Sequence, residues 1–370
     1  MTRRTAIAGT LLAAAAIPGG FVLASGDDPP SIDPARAAAG ELSASQLVGQ
    51  RLITGYVGSS PTGSVLRAIR RGRVGGVILF ADNVPTERTA RRVVRRLQRE
   101  ARIGRQPQLL VMIDQEGGEV KRIKSIPPTR SPAAIGSSAR RQSIARSQGR
   151  ATGKALHRLG INVDLAPVAD VPAGPSSFLG TRAFSTNRAR VAVAACAFAQ
   201  GLSRRNVGSA FKHFPGLGRA GANTDDRPVE VTASATALKS DLLPYRRCPA
   251  TVSLVMIASA TYPSLGIRRP AVLSRTTYTL LAATGFDGPT ISDALDTPAI
   301  AGQRNHQRRA ALAGLDLLLY GQTSGGAGRA YARLRAAVRR GVLSEQALRA
   351  SATRILRLKQ RLGARPDPAS

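Results

Sequence analysis

Eight short apolar runs, alternating with stretches of helical spacing, set the strongest limit on what this chain can fold into. They are Leu52–Val57, Val77–Phe80, Leu109–Ile113, Val163–Val168, Gly208–Phe211, Leu254–Ile257, Thr290–Ser292 and Leu317–Tyr320. None shows the period-two alternation of a sheet with one wet face, so each is predicted to be a parallel strand buried on both sides. Helices are predicted between them at Glu87–Arg102, Ser138–Leu159, Arg188–Arg205, Ala233–Tyr245, Thr276–Ala283 and Gln303–Ala313. Gly325–Arg340 and Ser344–Leu362 close the chain as helices, the last capped by Ser344. Eight such units point to one (β/α)8 TIM-type barrel, a fold whose functional groups gather at the C-terminal ends of the strands. An open doubly wound sheet would carry a glycine-rich phosphate loop after its first strand. Gly55-Tyr56-Val57-Gly58 is not one.

Polar groups recur where those runs end. Lys212-His213-Phe214-Pro215-Gly216 follows one, Asp114-Gln115-Glu116-Gly117-Gly118 another, and Asp170 and Asp293 lie just past two more. Such residues are poor choices for stability, so their repeated placement indicates a site. Asp296, before Thr297-Pro298, is the expected cap of the next helix, which leaves Asp293 free to face the barrel mouth. Asp114 and Arg122 frame a Gly117-Gly118 turn and can clamp hydroxyl groups, the carboxylate accepting and the guanidinium donating. A structural salt bridge is the plainer reading of the same pair, and Glu116 between them can do either job. Arg182 can hold a second part of the same ligand. Carboxylates, Lys, His and Arg without a metal cluster or a phosphate cradle suit a neutral, hydroxyl-rich molecule such as a sugar. No metal or cofactor is expected.

The ends and the charge bear on location. Arg3 and Arg4, the apolar Ala6–Ala16 and the small-residue pattern Val22-Leu23-Ala24 read as a secretory signal over residues 1–24, with an uncleaved anchor as the alternative. Residues 25–40 read as a tether and 41–365 as the catalytic domain. Export permits a disulfide, yet Cys196 lies in an Ala-rich helical pattern where an unpaired buried Cys is ordinary. The net charge of +32 calls for an anionic neighbour. Aromatic residues are only 4% of the chain, too few for stacking platforms, so a nucleic-acid reader is not expected. A monomer held electrostatically at an anionic cell wall fits better.

The motifs together resemble glycoside hydrolase family 3. GGVILF (75–80), IDQEGGEVKRI (113–123), INVDLAPVADV (161–171), GTRAFS (180–185), KHFPGLG (212–218), VMIASATYP (255–263) and GFDGPTISDALDTPAI (285–300) fall in that family's order and spacing. The likeness is greatest to its single-domain β-N-acetylhexosaminidases. It implies that Asp293 is the nucleophile of a retaining reaction. It also implies that Asp114, Arg122, Arg182, Lys212 and His213 bind the terminal sugar, with Asp170 an acidic position beside that subsite.

The proton donor departs from the resemblance. The family pattern reads K-H-F-P-G-H-G and, four residues on, D-S-H, whose His and Asp form the acid/base pair. Here Leu217 replaces the first of those His, and the triplet is Asn223-Thr224-Asp225. Asp225 takes the place of the catalytic His. His157 and His306 fall in helix patterns and are expected on helix faces. Either Asp225, or its neighbour Asp226, is a carboxylic acid serving as acid/base, or the barrel binds sugar with little turnover. The first is the expectation, because the nucleophile and sugar-binding positions all survive.

Overall fold

The computed structural model describes residues 33–321 and 325–363; the expected signal segment and residues 25–32 of the tether lie outside them. Strands β1 (Leu52–Thr54), β2 (Gly76–Leu79) and β3 (Leu110–Ile113) are followed by a small antiparallel hairpin, β4 (Gln115–Gly117) and β5 (Val120–Lys121). Then come β6 (Val163–Asp164), β7 (Gly208–Phe214), β8 (Leu254–Ile257), β9 (Thr290–Ser292) and β10 (Leu318–Tyr320). The sheet runs β10-β1-β2-β3-β6-β7-β8-β9, all parallel, and a bridge between Ile291 and Leu317 joins β9 to β10. This is the closed (β/α)8 barrel that the apolar runs predicted. Parallel strands in a ring put every C-terminal end on one face, where the polar residues sit.

Two apolar layers hide the period-two pattern. Ile53, Ile78, Leu110, Met112, Ala210 and Met256 belong to the cluster that fills the barrel. Their neighbours Leu52, Val77, Val111, Phe211 and Val255 belong to the cluster beneath the helices. Each strand therefore alternates in and out, but both sides are apolar and the sequence reads as a continuous run.

The opposite end of the barrel is closed by the last helix, Glu345–Arg361, which sends Ile355 and Leu358 into the interior cluster. Beside them Lys359 is fully buried, donating to Gln50 Oε1 at 2.7 Å and Gly75 O at 3.0 Å. Burial pulls its pKa down to about 7. Between that value and the ordinary lysine value of about 10.4 the unfolded chain holds this proton and the folded chain does not. Raising the pH through that window therefore favours folding, by up to about 1.4 kcal/mol per pH unit. Denaturant midpoints of the native protein are expected to climb from pH 7 towards pH 10 more steeply than those of Lys359→Met. Equal slopes would show that this amine does not titrate on folding.

Three local expectations need correction. From Pro34 the expected tether is a helix, Pro34–Glu41, whose Ala35 and Ala39 are buried, and Arg349 donates to Ala39 O and Gly40 O at 2.7 and 2.8 Å. Small side chains on one helical face let it pack against the last helix, which composition alone did not suggest. Cys196 is not unpaired: it is bonded to Cys248 across 52 residues, tying the helix Arg188–Ser203 to the segment ahead of β8. The run Val163–Val168 forms a ladder only at Val163–Asp164, and pairing resumes at the bridge from Val168 to Lys212.

Candidate active site

The strand ends converge on a cavity of about 550 Å³. Asp114, Arg122, Arg182, Lys212, His213, Asp225 and Asp293 all line it, so seven of the eight residues singled out from sequence meet on one wall or another. Asp114 emerges directly from β3, and Lys212 and His213 lie near the end of β7, where the register against β8 shifts between Phe211 and Phe214. The Lys212–His213 and Phe214–Pro215 peptide bonds are cis. Asp293 follows β9, its N–H donating to Ile257 O at 3.1 Å and its Oδ1 accepting from the Ala294 N–H at 2.9 Å.

An interlocked set of charges forms the floor. Lys212 Nζ lies 2.8 Å from Asp114 Oδ1 and 2.6 Å from Glu116 Oε1. Arg122 reaches Asp114 Oδ2 at 3.2 Å, and Arg182 grips Glu116 with two bonds of 2.9 Å. Burial alone would raise the Asp114 pKa, but Lys212 and then Arg122 outweigh it and hold the carboxyl at about 2. Glu116 is likewise held below its ordinary value against burial, by Lys212 first and then Arg182. Burial opposes the charge on Lys212, yet Asp114 and Glu116 raise its pKa. Asp114, Glu116 and Lys212 thus keep their charges in a largely dry place. They present fixed donors and acceptors to hydroxyl groups at no cost of reorganisation.

Glu116 was the residue left between two roles in the sequence, and the structure makes it the partner that joins Lys212 to Arg182. The hairpin β4–β5 delivers it, with Gly117 and Gly118 at φ of 98° and 62° making the turn. Gln115 locks that hairpin through Ile123 and Pro127. Its N–H donates at 3.0 Å to Asp164, a fully buried carboxyl that no motif reading had singled out. Burial raises the Asp164 pKa well above the ordinary aspartate value, against the pull of the Gln115 N–H and Lys212.

Asp170 is placed differently from the expectation of a residue beside the sugar. It stands behind His213, its Oδ1 accepting from the N–H groups of His213 (3.0 Å) and Leu217 (2.7 Å). Its Oδ2 meets His213 Nδ1 at 2.8 Å, and the side chain has no exposed surface. A carboxylate only accepts, so Nδ1 carries a hydrogen and donates it to Asp170. Asp170 orients the imidazole and does not line the cavity.

Asp296 does not cap the helix Pro298–Ala301, which has no side-chain cap. It accepts from the Gly321 N–H at 3.0 Å, linking the exits of β9 and β10, and lines the cavity. The carboxylate was better used across the barrel than along its own chain. His157 is exposed on its helix as expected, whereas His306 is buried, with Nδ1 at 3.1 Å from Gln303 O. Neither lines the cavity, which leaves His213 as its one imidazole. Apolar surface comes from Phe80, Phe178 and Leu217, and the Arg122 guanidinium lies 5.5 Å from the Phe80 ring centre. Sequence reading did not assign these walls, because an aromatic after a strand looks like any core residue.

Asp225 stands at the rim, partly open to solvent, on the segment between Arg219 and Pro228. Asn223 Oδ1 accepts from its N–H at 3.1 Å. Reduced hydration at the mouth, and next the Asp293 carboxylate, raise the Asp225 pKa, while His213 and Asn223 pull the other way. Asp225 and Asp293 thus line the same cavity, and the Asp293 charge favours the protonated form of Asp225. Among the described residues no three His, Cys, Asp or Glu are grouped to hold a metal ion.

Known proteins place the chain. The family model described as Glycosyl hydrolase family 3 N terminal domain matches residues 46–358. An uncharacterized secreted glycosyl hydrolase of Arthroderma benhamiae is 35% identical over 329 residues, 85% of this chain and 93% of that protein. The beta-hexosaminidase LpqI of Mycobacterium tuberculosis is 33% identical over 264 residues, 68% of each chain. Its solved structure superposes with a TM-score of 0.78 at 30% identity, covering 88% of this chain and 96% of that one. A family 3 beta-N-acetylglucosaminidase from Paenibacillus sp. gives 0.82 at 29% identity, covering 87% of this chain but 63% of its own longer chain. With the barrel, the cavity at its C-terminal face and these matches in agreement, the chain belongs to glycoside hydrolase family 3.

Proposed function

We propose that the protein is an exported, retaining β-N-acetylhexosaminidase that removes terminal β-linked N-acetylglucosamine from cell-envelope glycans or their fragments. The observation that carries this reading is that Asp293 and Asp225 line one cavity whose floor is the ion-paired set around Lys212. Lys212, Asp114, Arg122 and His213 bind the hydroxyls of the terminal sugar. Asp293 attacks the anomeric carbon, the C1–O bond breaks, and the leaving oxygen takes the proton of Asp225. Water, deprotonated by Asp225, then displaces Asp293 and releases the sugar with its configuration retained.

The beta-hexosaminidase and beta-N-acetylglucosaminidase names of the relatives support the choice of sugar. Export rests on the leader-like residues 1–24 and on the relative named as secreted. Among the described residues no helix is long and apolar enough to cross a membrane. A net charge of +32 supports association with an anionic wall.

A panel of 4-nitrophenyl glycosides tests the reading. The β-N-acetylglucosaminide is expected to be cleaved best, and proton NMR of the first product is expected to show the β-anomer. An α-anomer first would exclude the covalent route. Heat of sugar binding by calorimetry, with no product from any glycoside, would make the protein a silent sugar binder instead.

A further inference from the structure

A second cavity of about 460 Å³ lies on the flank of the barrel. Arg304 and Arg308 enter it around the start of the helix His306–Ala313, Arg333 from the helix Gly326–Arg339, where it also donates to Gln307 Oε1 at 3.4 Å, and Arg340 from just past that helix's end. Arg333, Ala336 and Arg340 share one face of that helix, spaced three and seven residues apart, and the short Ala336 leaves the gap between two guanidinium groups open. No carboxylate lines the cleft. Between Thr297 and Ser344 the sequence holds a single acidic residue, Asp316, and it is buried and paired with Arg354 at 2.7 Å. Asp296, just ahead of this stretch, lines the barrel mouth instead, although its charge is felt at His306 in the cleft wall.

The arginines of the helix Glu87–Ile103 differ. That helix also carries Glu87 and Glu100, and Arg91, Arg92 and Arg95 are exposed to solvent along a single element. They are a solvated face. The flank cleft instead gathers like charges from two elements around an open space, an arrangement opposed by mutual repulsion until an anion enters.

We propose that this cleft is an anion site that holds a phosphodiester polymer, independently of the chemistry at the barrel mouth. A carboxylate offers two coplanar oxygens, which one or two guanidinium forks satisfy. Four guanidinium groups from two directions match the four non-bridging oxygens of two successive phosphodiesters on one chain better. No Phe, Tyr or Trp lines the cleft, so bases would gain no stacking there and a polymer without bases is favoured over a single-stranded nucleic acid. The site would keep the enzyme on an anionic polymer while the mouth stays free for a sugar terminus.

The probe is poly(glycerol phosphate), with binding followed by calorimetry at several salt concentrations. The triple variant Arg304→Glu, Arg308→Glu, Arg340→Glu is expected to bind at least about tenfold more weakly at 0.1 M salt. Its log K against log salt slope should fall by about 2 to 3. Arg91→Glu, Arg92→Glu, Arg95→Glu, with the same change in charge, should lose less than threefold. An unchanged Tm confirms that each variant folds, and the triple Arg→Gln variant serves if charge reversal lowers it. Equal losses in the two triples would overturn the site and leave only diffuse attraction. A single-stranded oligonucleotide of matched charge that bound the native protein tenfold tighter than poly(glycerol phosphate) would overturn the choice of polymer.

Discussion

Replacing Asp293 by Ala is expected to lower kcat/KM for 4-nitrophenyl β-N-acetylglucosaminide by about 10⁴-fold or more, the scale on which a covalent route is lost with its nucleophile. The fold should not suffer. The carboxylate accepts from the adjacent Ala294 N–H, and the backbone at this point is held by the bond to Ile257 O. Sugar binding should persist, because Lys212, Asp114 and Arg122 are untouched. Added azide then supplies a substitute nucleophile. One displacement inverts the centre, so the product should be the α-glycosyl azide. Removing the Asp293 charge also removes a cause of the raised Asp225 pKa, which should move down towards the ordinary aspartate range. Activity within tenfold of the native protein would take the nucleophile away from Asp293.

How much of this was legible in the sequence depends on whether a residue's partner lies along the chain or across the barrel. Strand and helix positions came through, since Leu254–Ile257 and Thr290–Ser292 have their bounds fixed by local apolar runs. Residues at strand ends came through too, because a parallel barrel carries all of them to one face whatever their neighbours are. The partners of Asp170 and Asp296 were not legible, for the opposite reason. Asp170 is spent on His213 and Leu217, 43 and 47 residues away, and Asp296 on Gly321, 25 away. No local spacing announces such contacts. Glu116 was seen but not assigned, because its two cations arrive from elsewhere in the barrel, Lys212 from β7 and Arg182 from the segment after β6. The Cys196–Cys248 bond had no spacing signal at all; only the packing of the helix Arg188–Ser203 against the helix Leu243–Arg247 brings the two together.

Asp225 is the residue on which the departure from the family pattern turns, and its replacement by Ala should divide substrates by leaving group. An alkyl or sugar leaving oxygen must be protonated as it departs. Such substrates are expected to lose about 10²–10⁴ in kcat/KM, the usual worth of general acid catalysis. A dinitrophenolate leaves without a proton, so glycosylation with that substrate should be nearly unchanged. The second step then lacks its base and the glycosyl-enzyme accumulates, which a burst of dinitrophenolate reports. Azide attacks that ester without a base, and two displacements give the β-glycosyl azide, the anomer opposite to that expected from Asp293→Ala. The pH profile adds an independent check. Poor hydration and the Asp293 charge raise the Asp225 pKa, so in the native protein kcat/KM with chitobiose should fall as pH rises through that raised value. In Asp225→Ala this alkaline limb should vanish for every leaving group. Equal losses with chitobiose and the dinitrophenyl glycoside, and an unaltered limb, would assign the proton to another group and leave Asp225 as part of the rim.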